Sequence, residues 1–130
     1  MQVEQEGYGY VVASVGELGG VVPYTSYSAK GSYIKNNKEL IANFTKAIQK
    51  GLDFVNNSSD LEVAKAILNQ FPDTSLNDLE KVVKRYREID AWPKTTKFNE
   101  ESFNHLQDIM ISSGVLSEKV DYNKLIYNEK

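Results

Sequence analysis

Charge is spread along this chain in a way that limits its fold more than any single motif does. Residues 1–34 carry four charged side chains, Glu4, Glu6, Glu17 and Lys30, whereas residues 35–130 carry the other 29 of 33. Six of the eight glycines and five of the eight tyrosines also fall within the first 33 positions. Such a stretch of aromatic and β-branched residues, punctuated by glycine, suits strands that are at least half buried. The pattern predicts one strand over residues 8–15 (YGYVVASV), a glycine turn over 16–20 (GELGG) and a second strand over 22–29 (VPYTSYSA). Pro23 has no N–H for a ladder, which puts the start of the second strand at an edge or a crossing point. Two strands make no stable sheet alone, and the rest of the chain supplies no obvious partner for them.

From Lys35 onward the apolar period becomes helical. Asn36-Asn37-Lys38-Glu39 reads as a helix start, followed by a stripe of Ile41, Phe44, Ile48, Leu52 and Val55. Ser59-x-x-Glu62 is a second capping box, with Leu61, Ala64, Leu68 and Phe71 expected on one face and Pro72 closing the segment. Ser75-x-x-Asp78 opens a third helix that carries Leu79, Val82, Val83, Tyr86 and Ile89. Asn99 caps a fourth, with Phe103, Leu106, Ile109 and Met110 inward and Gly114 as its stop. A short helix or turn over residues 122–127 completes the reading.

Composition narrows the function. A chain of 130 residues with 41% hydrophobic residues can build one core, which excludes wholesale disorder. A net charge of −3 argues against nucleic acid as the main partner, which would need a clustered basic surface. The absence of cysteine excludes disulfides, thiolate metal sites and a cysteine nucleophile. No apolar run approaches the length of a membrane span.

Few residues carry chemistry. His105 is the sole histidine and has no companion at a metal spacing, so a surface or packing role outweighs ligation. Glu100 and Glu101 sit where a helix dipole favours acids, which outweighs a catalytic pair. Lys81, Lys84, Arg85 and Arg87 interleave with apolar positions as a solvated face does. The glycines fit neither a dinucleotide fingerprint nor a P-loop, and there is no nucleophile elbow. The sequence thus names no catalytic residue, no metal ligand and no cofactor, and the chain reads as a non-enzyme. The alternation Tyr24-Thr25-Ser26-Tyr27-Ser28 is the unusual feature, because aromatic faces beside hydroxyls are the materials of a small-molecule site. Packing of both tyrosines beneath helices is the competing reading, and on spacing alone it is favoured.

The order of these stretches resembles a known family. GYVVAS at 9–14, VPYT at 22–25, AKGSYI at 29–34 and FTKAIQKG at 44–51 look like the NMT1/THI5-like substrate-binding proteins of ABC importers. FPDT at 71–74, Val83-x-Arg85-Tyr86, Asp90-x-Trp92, Ser102-Phe103-x-x-Leu106-Gln107-Asp108-Ile109 and Gly114-Val115-Leu116 continue the likeness. That group includes binders of aliphatic sulfonates, taurine and thiamine-precursor pyrimidines. No one motif is specific, and the likeness rests on their shared order along the chain.

The resemblance implies a helix-rich α/β fold, the C-terminal part of a periplasmic-binding-protein type II fold, with about two strands before four or five helices. It implies that residues 1–21 end the second lobe and enter the hinge, and that residues 22–130 belong to the first lobe, together one structural unit. It also implies a fragment of a longer protein that is extracellular or periplasmic and anchored as a lipoprotein. Its ligand would be a small organic molecule held between two lobes, and its partner an ABC permease in the membrane. Tyr24 would stack on the ligand and Thr25 would hydrogen-bond it, with Ser14 and Glu17 as secondary contacts. Uncovered apolar faces would drive self-association. The rival reading is a free-standing helical module that receives a partner peptide.

Overall fold

The computed structural model describes residues 2–13 and 15–127, and among these no strand is present. The helices are α1 (Gln2–Gln5), α2 (Val15–Leu18), α3 (Gly31–Asn36), α4 (Lys38–Asn57), α5 (Asp60–Ile67), α6 (Leu76–Glu88), α7 (Glu100–Ser112) and α8 (Tyr122–Leu125), with a 3-10 turn at Leu68–Gln70. The expected α/β architecture, with strands at residues 8–15 and 22–29, is therefore corrected to a helical one. Residues 9–13 and 22–30 run as irregular backbone, and Val15 opens α2. The physical reason is that β propensity measures fit to a sheet, and a strand exists only beside a partner. Here the backbone groups find local substitutes: Tyr8 N–H donates to Val3 O at 2.9 Å, and Val11 N–H to Glu4 Oε1 at 2.9 Å. The expected glycine turn is in part α2, closed by Gly19 N–H donating to Val15 O at 2.8 Å.

The chain forms two compact units, one of the residues up to Ser26 with Phe98–Tyr127, the other of Tyr27–Lys97. In the second unit, α5 and α6 pack antiparallel. Val63, Ala64, Leu79 and Val83 form its buried centre, with Val55, Ile67, Leu68, Leu76 and Trp92 packed against it. Both helices start from side-chain caps. Ser59 Oγ accepts from Glu62 N–H at 3.3 Å while Glu62 Oε2 accepts from Ser59 N–H at 2.8 Å, a complete capping box. Ser75 Oγ accepts from Asp78 N–H at 3.1 Å. Arg87 ties the end of α6 to the start of α5, donating from Nε to Asp60 Oδ1 at 2.8 Å and from an Nη to Ser58 O at 3.0 Å.

Two expectations for this unit change. Leu61 and Phe71 are 36% and 47% exposed, whereas Ala64, expected on that face, is buried together with Val63. A capping box fixes where a helix starts, while the inward face is chosen by the helix it packs on. The start of α4 also differs: Asn37 is its N-cap residue without a side-chain cap bond, and Asn37 Nδ2 donates backwards to Tyr33 O at 2.8 Å. That amide satisfies the C-terminal end of α3, a helix not expected from the sequence, rather than the first turn of α4.

Helix α4 is held on one side by a strap. Gln49 Nε2 donates to Lys94 O at 3.0 Å, Thr96 N–H donates to Gln49 Oε1 at 3.1 Å, and Asn56 Nδ2 donates to Pro93 O at 3.2 Å. Its opposite face leaves Leu40, Phe44 and Phe54 between 42% and 54% exposed.

In the first unit, Phe103 and Tyr122 are buried, and Phe98, Phe103 and Tyr122 meet edge to face. Asn99 Oδ1 accepts from Ser102 N–H at 2.8 Å to start α7. Gly114, at φ 75°, ends it: Val115 N–H reaches Met110 O at 2.9 Å and Gly114 N–H reaches Ile111 O at 3.0 Å, the two bonds of a Schellman motif. Only a residue at ease with positive φ closes a helix in this way.

Candidate functional site

Tyr24 and Thr25 lie in the irregular stretch over residues 22–30, beyond α2. Val22 and Pro23 are half-buried and root this stretch, while Tyr24 is 98% exposed and Thr25 is exposed. The tyrosine ring and the threonine hydroxyl are therefore both presented to solvent. They offer an aromatic face and a combined donor and acceptor. Ser14 and the side chain of Glu17 lie outside the described residues.

Tyr27 belongs to the second unit and does have a structural partner. Its ring meets Phe44 of α4 edge-on, with centroids 4.9 Å apart and planes at 85°. Beside this pair, Glu39, Leu40, Asn43 and Phe44 line an open groove of about 500 Å³. The groove offers an apolar floor with one amide and one carboxylate at its rim, and it stands open to water along α4. Sequence reasoning missed it because Phe44 reads as a member of a core stripe, whereas Phe44 and its neighbour Leu40 are both exposed.

A second open groove, of about 650 Å³, is lined by Glu100, Glu101, Asn104, His105 and Asp108 along one side of α7. His105 Nε2 donates to Gly19 O at 2.8 Å, so the imidazole serves as a tether for the turn after α2. Gly20, at φ 73°, lies so close that an added Cβ would stand 3.2 Å from His105 Nε2. The carboxylates here are open to water, and no group of three His, Cys, Asp or Glu side chains able to hold a metal occurs among the described residues. Glu62 and Asp78 have carboxyls held below their usual range. The Ser59 hydroxyl is the main cause for the first and the Ser75 hydroxyl for the second, with backbone bonding or Lys81 adding to it. Both are helix caps, so these shifts mark folding rather than a reaction site.

No family model matches the chain, and no solved structure matches it significantly. A relative does. The chain is 39% identical over 126 residues to the protein named "Putative binding protein YtlA" of Bacillus subtilis (strain 168). The similarity takes in 97% of this chain and 38% of that protein, so the chain spans well under half the length of the relative.

Proposed function

We propose that this chain is part of a solute-binding protein of an ABC importer, which holds a small organic ligand between two lobes without changing it covalently. The observation that carries this reading is the 39% identity to a protein named as a binding protein, sustained over 97% of the chain. The ligand class is a sulfonate, a taurine-like molecule or a pyrimidine precursor, following the shared motif order described above. Tyr24 stacks on the ligand and Thr25 hydrogen-bonds it. The exposure of both supports this role, because neither is committed to a core. The partner of the whole protein is a permease in the membrane, and its site of action is outside the cytoplasm, held there by a lipid anchor. Among the described residues no helix is long and apolar enough to cross a membrane.

The test is a thermal-shift panel with taurine, ethanesulfonate and a hydroxymethyl-pyrimidine, applied to this chain and to the Bacillus subtilis relative. Ligands that bind the native state raise its melting temperature by mass action. A concentration-dependent rise with one of the three supports the reading. No rise in either protein, with both cooperatively folded, overturns it.

A second reading has its own support. Every regular element among the described residues is a helix, and α4 leaves Leu40, Phe44 and Phe54 exposed along one face. A helical module that receives an amphipathic peptide would use such a face. In that case the panel is silent and Phe44→Ala abolishes peptide capture.

A further inference from the structure

The turn after α2 is held through both backbone groups of one residue. Gly19 N–H donates to Val15 O at 2.8 Å, and Gly19 O accepts from His105 Nε2 of α7 at 2.8 Å, across 86 positions of sequence. A carbonyl oxygen can only accept, so Nε2 carries the proton of this bond. The next residue leaves room for the ring. Gly20 stands at φ 73°, and a Cβ there would lie 3.2 Å from His105 Nε2. Glycine meets both demands, since it bears no Cβ and adopts positive φ without strain.

The stretch that follows has little freedom of its own. Val22 precedes a proline, which confines it to extended backbone, and the ring of Pro23 fixes its φ at about −65°. Tyr24 is 98% exposed, so packing does not set where its ring stands. The direction in which the backbone leaves Pro23 sets it instead, and that direction begins at Gly19. From this chain of constraints we infer that His105 is a positioning residue for the ligand: by holding Gly19 O, it fixes the turn that presents Tyr24 and Thr25. The imidazole is itself exposed, so its removal takes nothing from the core. The inference rests on the solute-binding reading of Tyr24 and Thr25, and it gives the sole histidine a role that needs neither a metal nor proton transfer.

The experiment is NMR relaxation of the backbone amides of Gly19, Gly20, Val21, Val22 and Tyr24 in wild type, His105→Ala and His105→Gln, with taurine, ethanesulfonate and a hydroxymethyl-pyrimidine titrated into each protein. Alanine removes the donor, and glutamine returns an amide donor at similar reach. Order parameters should lie near the rigid value of about 0.85 in wild type and His105→Gln, and below about 0.6 in His105→Ala, with helix content by circular dichroism unchanged. A probe that binds wild type should bind His105→Ala on the order of fivefold more weakly, as for the loss of one ordinary hydrogen bond, and His105→Gln should restore it. Amides that stay ordered in His105→Ala would mean that half-buried Val22 and Pro23 suffice as anchors, and would overturn the inference. Amides already mobile in wild type, or a probe bound equally by wild type and His105→Ala, overturn it too. So does equal loss of order in both variants, since the ring rather than its donor would then hold the turn. If no probe binds any of the three proteins, the solute-binding reading fails by itself, and the order parameters still decide whether His105 holds the turn.

Discussion

The side-chain amide of Gln107 clasps the backbone of Val120 from both sides, accepting from its N–H at 2.6 Å and donating to its C=O at 3.2 Å. Gln107 is 4% exposed, the one buried polar residue of the described core, and its pairing holds the chain after α7 against that helix. Beyond this clasp, the Tyr122 ring meets Phe103 edge to face, and its hydroxyl donates to Phe98 O. Removing the amide leaves a backbone donor and acceptor to find water or go unpaired.

Gln107→Leu should therefore lower stability by about 1–3 kcal/mol, the cost of a buried group losing its partner. Gln107→Glu keeps the acceptor for Val120 N–H but loses the donor, and should fall between wild type and leucine near neutral pH. Urea unfolding followed by circular dichroism reads both.

The inward face of α5 and α6 is tested by a contrast. Leu79 is 4% exposed at the centre of the second unit, whereas Leu61 is 36% exposed. Leu79→Ala should cost about 2–5 kcal/mol, while Leu61→Ala, with far less surface to lose, should cost under about 1 kcal/mol. Equal losses in denaturant unfolding would mean that α5 is rotated from the orientation described.

The caps make a prediction about acid. Glu62 and Asp78 ionise more readily in the fold than in the unfolded chain, chiefly through the hydroxyls of Ser59 and Ser75. A depressed folded pKa contributes stability that is present above the unfolded value and is lost as pH falls through the folded one. Stability should thus be level near neutrality and decline below the ordinary carboxylate pKa of about 4. Glu62→Gln combined with Asp78→Asn should flatten that decline, as measured by urea midpoints across the acid range. Separately, Asn99→Ala should cost about 1 kcal/mol by removing the cap of α7.

What could be read in advance divides along the range of the interactions. Ser59, Ser75, Asn99 and Gly114 act within one helical turn, and each sits at the helix end that its residue type implies. The capping pattern Asn36-Asn37-Lys38-Glu39 does not settle the start of α4, because an asparagine amide can serve either of two adjoining helices, and here Asn37 turns back to Tyr33 O. Strands over residues 8–15 and 22–29 were expected from valine and tyrosine content, but pairing depends on a distant partner that local composition does not reveal. Gln107 escaped notice because its partner lies thirteen residues away and a glutamine on a helix ordinarily faces water. Of the candidate site, the unusual alternation around Tyr24 was visible in the residues. The groove along α4 at Leu40 and Phe44 was not, because the exposure of these two residues depends on what α4 fails to pack against.

The central claim is that Tyr24 and Thr25 face a small organic ligand, and isothermal titration tests it most directly. Taurine, ethanesulfonate and a hydroxymethyl-pyrimidine would each be titrated into the wild-type chain, Tyr24→Ala and Thr25→Val. The account predicts saturable binding of one probe, weakened roughly tenfold or more by Tyr24→Ala through the loss of about 1.4 kcal/mol of ring contact, and less by Thr25→Val. Binding that is identical in all three proteins, or no heat from any probe, would contradict it.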